Sequence, residues 1–133
     1  MSINPYADNF ESGGFFYNAI RQDLAMVHGD TLAFGFQIQG LEGDEPDEIV
    51  LSVKENLEDD EALITVSTDD SILLRGYDSA NDVLTYTVRI PPQKAQELAT
   101  GRYFYDLVVY VDSDVITLMK GRLVVDYSVS ENI

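Results

Sequence analysis

A chain of 133 residues, 45% of them hydrophobic, has material for one hydrophobic core and is too short for two ordinary domains. Its 24 acidic residues against 8 basic ones give a formal net charge of -16. The cations (Arg21, Lys54, Arg75, Arg89, Lys94, Arg102, Lys120, Arg122) are scattered singly along the sequence, which argues against nucleic acid or an anionic membrane surface as a partner.

The absence of cysteine excludes disulfides, thiolate metal sites and cysteine nucleophiles together. No apolar run approaches the ~20 residues of a membrane-spanning helix. The opening MSINPYADNF has neither the basic start nor the apolar stretch of a secretory signal. The expectation is a protein made in a cytoplasm and not inserted in a membrane.

Residues 1–23 form an aromatic-rich arm carrying Tyr6, Phe10, Phe15, Phe16 and Tyr17 around the glycine pair Gly13-Gly14. Ordering a segment must be offset by buried apolar area, and solvated tails are poor in aromatics. The arm therefore packs against its own domain, docks on a neighbouring subunit, or orders only when a partner is present.

From residue 24 to 133 the pattern has period two. A short strand at 24–28 leads through Gly29-Asp30 into Thr31–Gln39, where Leu32, Phe34, Phe36 and Ile38 alternate with polar or small residues. Further strands are expected at 48–55, 62–67, 71–75, 83–90, 101–111 and 115–129, the last with Gly121 as a candidate break. Pro91 and Pro92 stop one strand and open a helical turn or two over QKAQELA, with Gly101 ending it. Seven to eight short strands separated by acidic or glycine-containing loops predict an all-β fold, an antiparallel immunoglobulin-like Greek-key β-sandwich.

The stretch GRYFYDLVVYV (Gly101–Val111) places Tyr103, Tyr105, Leu107, Val109 and Val111 on one face and Arg102, Phe104, Asp106, Val108 and Tyr110 on the other. Tyr103, just after a turn glycine, is the candidate tyrosine corner, whose phenol bonds back to upstream backbone. The opposite face is more apolar than a sheet facing water, so Phe104, Val108 and Tyr110 are candidate protein-interface residues together with the five aromatics of the arm.

Chemistry has no comparable signal. Two acidic loops (Glu42, Asp44, Glu45, Asp47, Glu48; and Glu55, Glu58, Asp59, Asp60, Glu61) lack the spacing of a calcium loop. No G-x-S-x-G, phosphate loop or dinucleotide fingerprint occurs, and His28 is the single histidine. No catalytic residue, metal ligand or cofactor is assigned. A calcium-dependent adhesion or carbohydrate-binding module using the acidic loops is the alternative reading.

Gly29-Asp30-Thr31 running into Leu32, Phe34 and Phe36, then GRYFYDL, then Leu118-Met-Lys-Gly121-Arg-Leu-Val-Val125, resemble small immunoglobulin-like structural proteins of bacteriophages and prophages. The group includes the N-terminal module of upper baseplate proteins, and the likeness runs over about residues 24–130. The acidic loop Leu41–Glu48 departs from the pattern. The resemblance implies a noncatalytic virion component, of a tail, a baseplate or another part. It would be made in the host bacterial cytoplasm and would assemble with copies of itself or with other virion proteins.

Overall fold

The computed structural model describes residues 10–11, 14–15, 20–68 and 70–127, with side chains from Arg21 onward. In chain order the strands are β1 (Phe10–Glu11), β2 (Gly14–Phe15), β3 (Ile20–Arg21), β4 (Leu24–Val27), β5 (Leu32–Gln39), β6 (Glu48–Lys54), β7 (Ile64–Ser67), β8 (Ile72–Asp78) and β9 (Val83–Ile90). The single helical turn α1 (Pro92–Ala95), β10 (Gly101–Val111) and β11 (Asp114–Asp126) complete the order.

Two sheets face each other, as the alternation predicts. The larger runs β3-β11-β10-β6-β7, with β4 continuing along β11 beyond β3; the smaller runs β5-β9-β8. Pairing is antiparallel except where β3 and β4 lie parallel to β11. Hairpins stay within a sheet (β6–β7, β8–β9, β10–β11), while the chain changes sheet between β4 and β5, β5 and β6, β7 and β8, and β9 and β10. The fold is an immunoglobulin-like β-sandwich.

One side of β5, β6, β9 and β10 supplies most of the core. Leu32, Phe36 and Ile38 of β5 and Leu84, Tyr86, Val88 and Ile90 of β9 meet Ile49, Leu51 and Val53 of β6 and Tyr103, Tyr105, Leu107 and Val109 of β10, all buried. Phe36 and Tyr86 are Cα partners across β5 and β9, with rings stacked at 5.4 Å and 9°. The helical turn is shorter than its sequence suggests. Pro91 is its N-cap, Pro92 opens it, and it ends at Ala95. Ala95 and Leu98 are fully buried and plug one end of the sandwich. Gly101 does not end the turn but begins β10.

The last strand is not broken at Gly121. It runs unbroken from Asp114 to Asp126, with a bulge where Leu107 pairs with Met119 but Val108 with Thr117. Leu118 is the extra residue, and it is buried next to buried Met119. The insertion reverses which parity of β11 faces the core, so that Ile116 and Leu118 point inward before it and Leu123 and Val125 after it.

The Tyr103 hydroxyl donates to the Ala99 carbonyl at 2.7 Å, tying the start of β10 to the chain arriving from α1. Because Ala99 is exposed, water replaces the lost donor in Tyr103→Phe. The cost is then that of a net hydrogen bond, about 1 kcal/mol. It is read as a lower denaturant midpoint at unchanged slope.

Candidate functional site on the outer sheet face

β10 lies inside the larger sheet, with β6 on one side and β11 on the other, so its outward residues form the middle row of a continuous face. Phe104, Asp106 and Val108 are half-buried, and Tyr110 is 38% exposed. Along β6 their Cα partners are Lys54, Ser52, Val50 and Glu48; along β11 they are Arg122, Lys120, Thr117 and Val115. The sequence-assigned interface residues Phe104, Val108 and Tyr110 thus share one face, whereas Tyr103 belongs to the core side. Of the arm, Phe10 and Phe15 are Cα partners in the β1–β2 pairing. Their side chains, together with Tyr6, Phe16 and Tyr17, lie outside the described residues.

Linear inspection misses the placement of charge. Arg21, Lys54, Arg102, Lys120 and Arg122, five of the eight basic residues, stand on outward positions at the β10-start end of this face. Scattered in sequence, they converge in space, which corrects the reading of the cations as isolated. An open groove of about 370 Å³ lies there, with Phe104 and Asp106 on its walls, Arg21, Lys120 and Arg122 beside them, and Leu57 of the β6–β7 loop at its edge. At the small end of ligand-site volumes and open on a sheet face, it suits side chains of a partner better than an enclosed small molecule.

The segment between β3 and β4 is tied to the β11 residues that line the groove. The Gln22 backbone N–H donates to the Lys120 carbonyl at 3.0 Å, and the Asp23 carboxylate accepts from the Arg122 backbone N–H at 3.0 Å. From below, the buried Tyr105 phenol donates to the Gln22 carbonyl. Burial pushes the Tyr105 phenol well above its usual value, with a smaller contribution from Asp23. This close crossing is possible because residue 121 is glycine. A Cβ there would meet the Gln22 carbonyl oxygen at 2.4 Å.

Asp106 sits between Lys54 and Lys120. Burial raises its pKa, and the two ammonium groups pull it part of the way back. A raised carboxyl pKa means that the folded chain holds this proton more tightly than the unfolded chain does. The stability it contributes is fully present below the ordinary carboxylate value and is lost as pH rises through the higher folded value. Asp106→Asn should therefore raise the melting midpoint slightly at pH 7. The gain should shrink as pH falls into the carboxylate range, which melts from pH 7 to 4 will show.

The opposite pole is acidic. The β5–β6 loop carries Glu42, Asp44, Glu45 and Asp47, the β10–β11 turn carries Asp112, and Asp114 opens β11 beside it. The β8–β9 turn ties the first loop down. The Asp82 carboxylate accepts from the Glu42 N–H and the Tyr77 hydroxyl, each at 3.0 Å, and the Asp47 N–H donates to the Tyr110 carbonyl at 2.8 Å. Among the described residues no three His, Asp or Glu side chains are placed to hold a metal ion. His28 is half-buried in the turn after β4, its N–H bonded to the Asp126 carbonyl at 2.8 Å.

Among the described residues, no helix is long and apolar enough to cross a membrane. No protein-family model matches the chain, and no curated protein does. Among solved structures it is similar to CopC from Methylosinus trichosporium OB3b, with 16% identity over 82% of this chain and 86% of that one and a TM-score of 0.40. It is also similar to a structure from a study of multimeric cell-adhesive interactions of VGSC beta subunits, with 14% identity over 81% and 92% of the two chains and a TM-score of 0.34. At these values neither likeness carries an argument about what this chain binds or assembles with.

Proposed function

We propose that this chain is a noncatalytic structural protein that works by protein–protein association, and that it does so in a virion, as the bacteriophage resemblance implies. The supporting observation is the outer face of the larger sheet. Its central strand presents Phe104, Val108 and Tyr110 in one row, and that row leads into a groove edged by cations. A sheet face of this composition gains by being covered with protein rather than water. The aromatic arm at residues 1–23 supplies a second means of attachment, because extended segments commonly stitch symmetric arrays. The acidic loops that would serve a calcium-dependent adhesion or carbohydrate-binding module bring no cation cage together among the described residues.

Light scattering of the full chain at physiological salt tests the reading. The expected mass is a multiple of the monomer that falls on deletion of residues 1–22. A monomer at every concentration, unchanged by the deletion, overturns it.

A further inference from the structure

The outer face of the larger sheet is electrically polarised along its strands. Arg102, Arg122, Lys120, Lys54 and Arg21 gather beside positions 102–106 of β10, while Asp112 and Asp114 close the hairpin at its other end. From Phe104 to Val111 is roughly 23 Å along an extended strand. Among the described residues Arg21, Arg102, Lys120 and Arg122 form no side-chain ion pair; the ion pair seen is Lys94 with Asp70, elsewhere. Glu55 and Glu58 of the β6–β7 loop share the basic end, yet they stay exposed and do not pair with these cations. Lys54 is partly spent, donating to the Asp59 carbonyl at 2.7 Å. The Asp106 carboxylate on the groove wall faces Lys54 and Lys120, which leaves Arg21, Arg102 and Arg122, among the described residues, as cations without a carboxylate partner in a chain of net charge -16.

We infer that this groove receives the acidic β10–β11 turn of a second copy of the chain, in a head-to-tail contact; the inference rests on the association reading and specifies its geometry. The turn has the matching chemistry. Asp112 and Ser113 form its two-residue loop between the paired Val111 and Asp114, and Asp112 holds φ 54°. Val115 beside it is 65% exposed. The tip thus offers an exposed apolar residue, Val115, next in the chain to the exposed Asp112 and Asp114, and the groove offers the Phe104 ring with Lys120, Arg122 and Arg21 around it and Asp106 on its wall. Glu42, Asp44 and Asp47 surround the tip and extend the same complementarity to the rim.

Like-charged copies repel at a distance. At 0.15 M salt, however, the screening length is about 8 Å, so repulsion between whole molecules is damped while contact pairs are not. The two surfaces differ, so the contact has no two-fold axis. A bound pair still carries one free groove and one free turn, one on each copy, and the assembly closes as a ring or grows as a filament.

Two capped variants test this. Lys120→Gln with Arg122→Gln disables the groove; Asp112→Asn with Asp114→Asn disables the turn, asparagine tolerating the positive φ at position 112. Sedimentation velocity at 0.15 M salt should show wild-type oligomers and a loss of affinity of at least tenfold for each variant alone. An equimolar mixture of the two, with one intact groove and one intact turn between them, should form a dimer and nothing larger. Oligomers that survive either variant, or a mixture that stays monomeric, overturn the inference while leaving association itself standing. A monomeric wild type sinks both. Matching melting midpoints verify folding, and Arg21→Gln with Lys120→Gln replaces the groove pair if they do not match.

Discussion

Phe36→Ala lowers the unfolding free energy by about 4 kcal/mol, close to the middle of the range for emptying a buried aromatic site. Phe36 is 1% exposed and lies against the Tyr86 ring across β5 and β9. Removing it deletes a large apolar surface and leaves a cavity walled by strands paired in register over eight residues, which resist collapse. Domains of this size are stable by roughly 5–15 kcal/mol, so much of the margin goes, and the melting midpoint should drop by about 10–20 °C. Leu57→Ala is the matched control. Leu57 is 69% exposed, and its loss should stay within about 0.5 kcal/mol. Equal effects at the two positions would mean that the inner face of β5 is not core.

Gly121→Ala destabilises by about 2–3 kcal/mol, from overpacking rather than from any conformational demand of glycine. The new methyl would stand 2.4 Å from the Gln22 oxygen and 2.8 Å from its carbonyl carbon. Both are backbone atoms, which cannot rotate away. Relief requires the β3–β4 crossing to lift, which also pulls the Gln22 carbonyl from the Tyr105 phenol and the Asp23 carboxylate from the Arg122 N–H. Hydrogen exchange should therefore quicken most at Gln22, Arg122 and His28, whose N–H groups hold this edge. Gly76→Ala is the control, because a Cβ there meets nothing within 4 Å. A stable Gly121→Ala chain with a protected Gln22 amide would show that the crossing is looser than described.

The strands with one buried face were legible because each residue reports its own side. β5, β6, β9 and β10 alternate over most of their length, and their ends fall within about one residue of the sequence-based bounds. β8 runs on to Asp78, three residues past its expected end. It is a sheet edge whose residues after Ile72 are exposed, so it carries no alternating signal. The convergence of cations was illegible for a different reason. It depends on register between distant segments, and above all on the Leu118 bulge. Without that extra residue the parity of Thr117 would have carried on through β11, turning Lys120 and Arg122 toward the core. Two consecutive apolar residues, Leu118 and Met119, within an alternating strand are the one local trace of it. Tyr105 was correctly placed inward, but its partner Gln22 lies 83 residues away, beyond any local pattern.

On the proposed reading, protein covers the outer face of the larger sheet. A photoreactive phenylalanine derivative placed at Val108, and in a second sample at Thr85 on the outer face of the smaller sheet, tests it directly. Irradiation of the purified chain at physiological salt should give covalent dimers and higher species from position 108 and monomer from position 85. Monomer from 108, or cross-linked species from 85 alone, contradicts the claim.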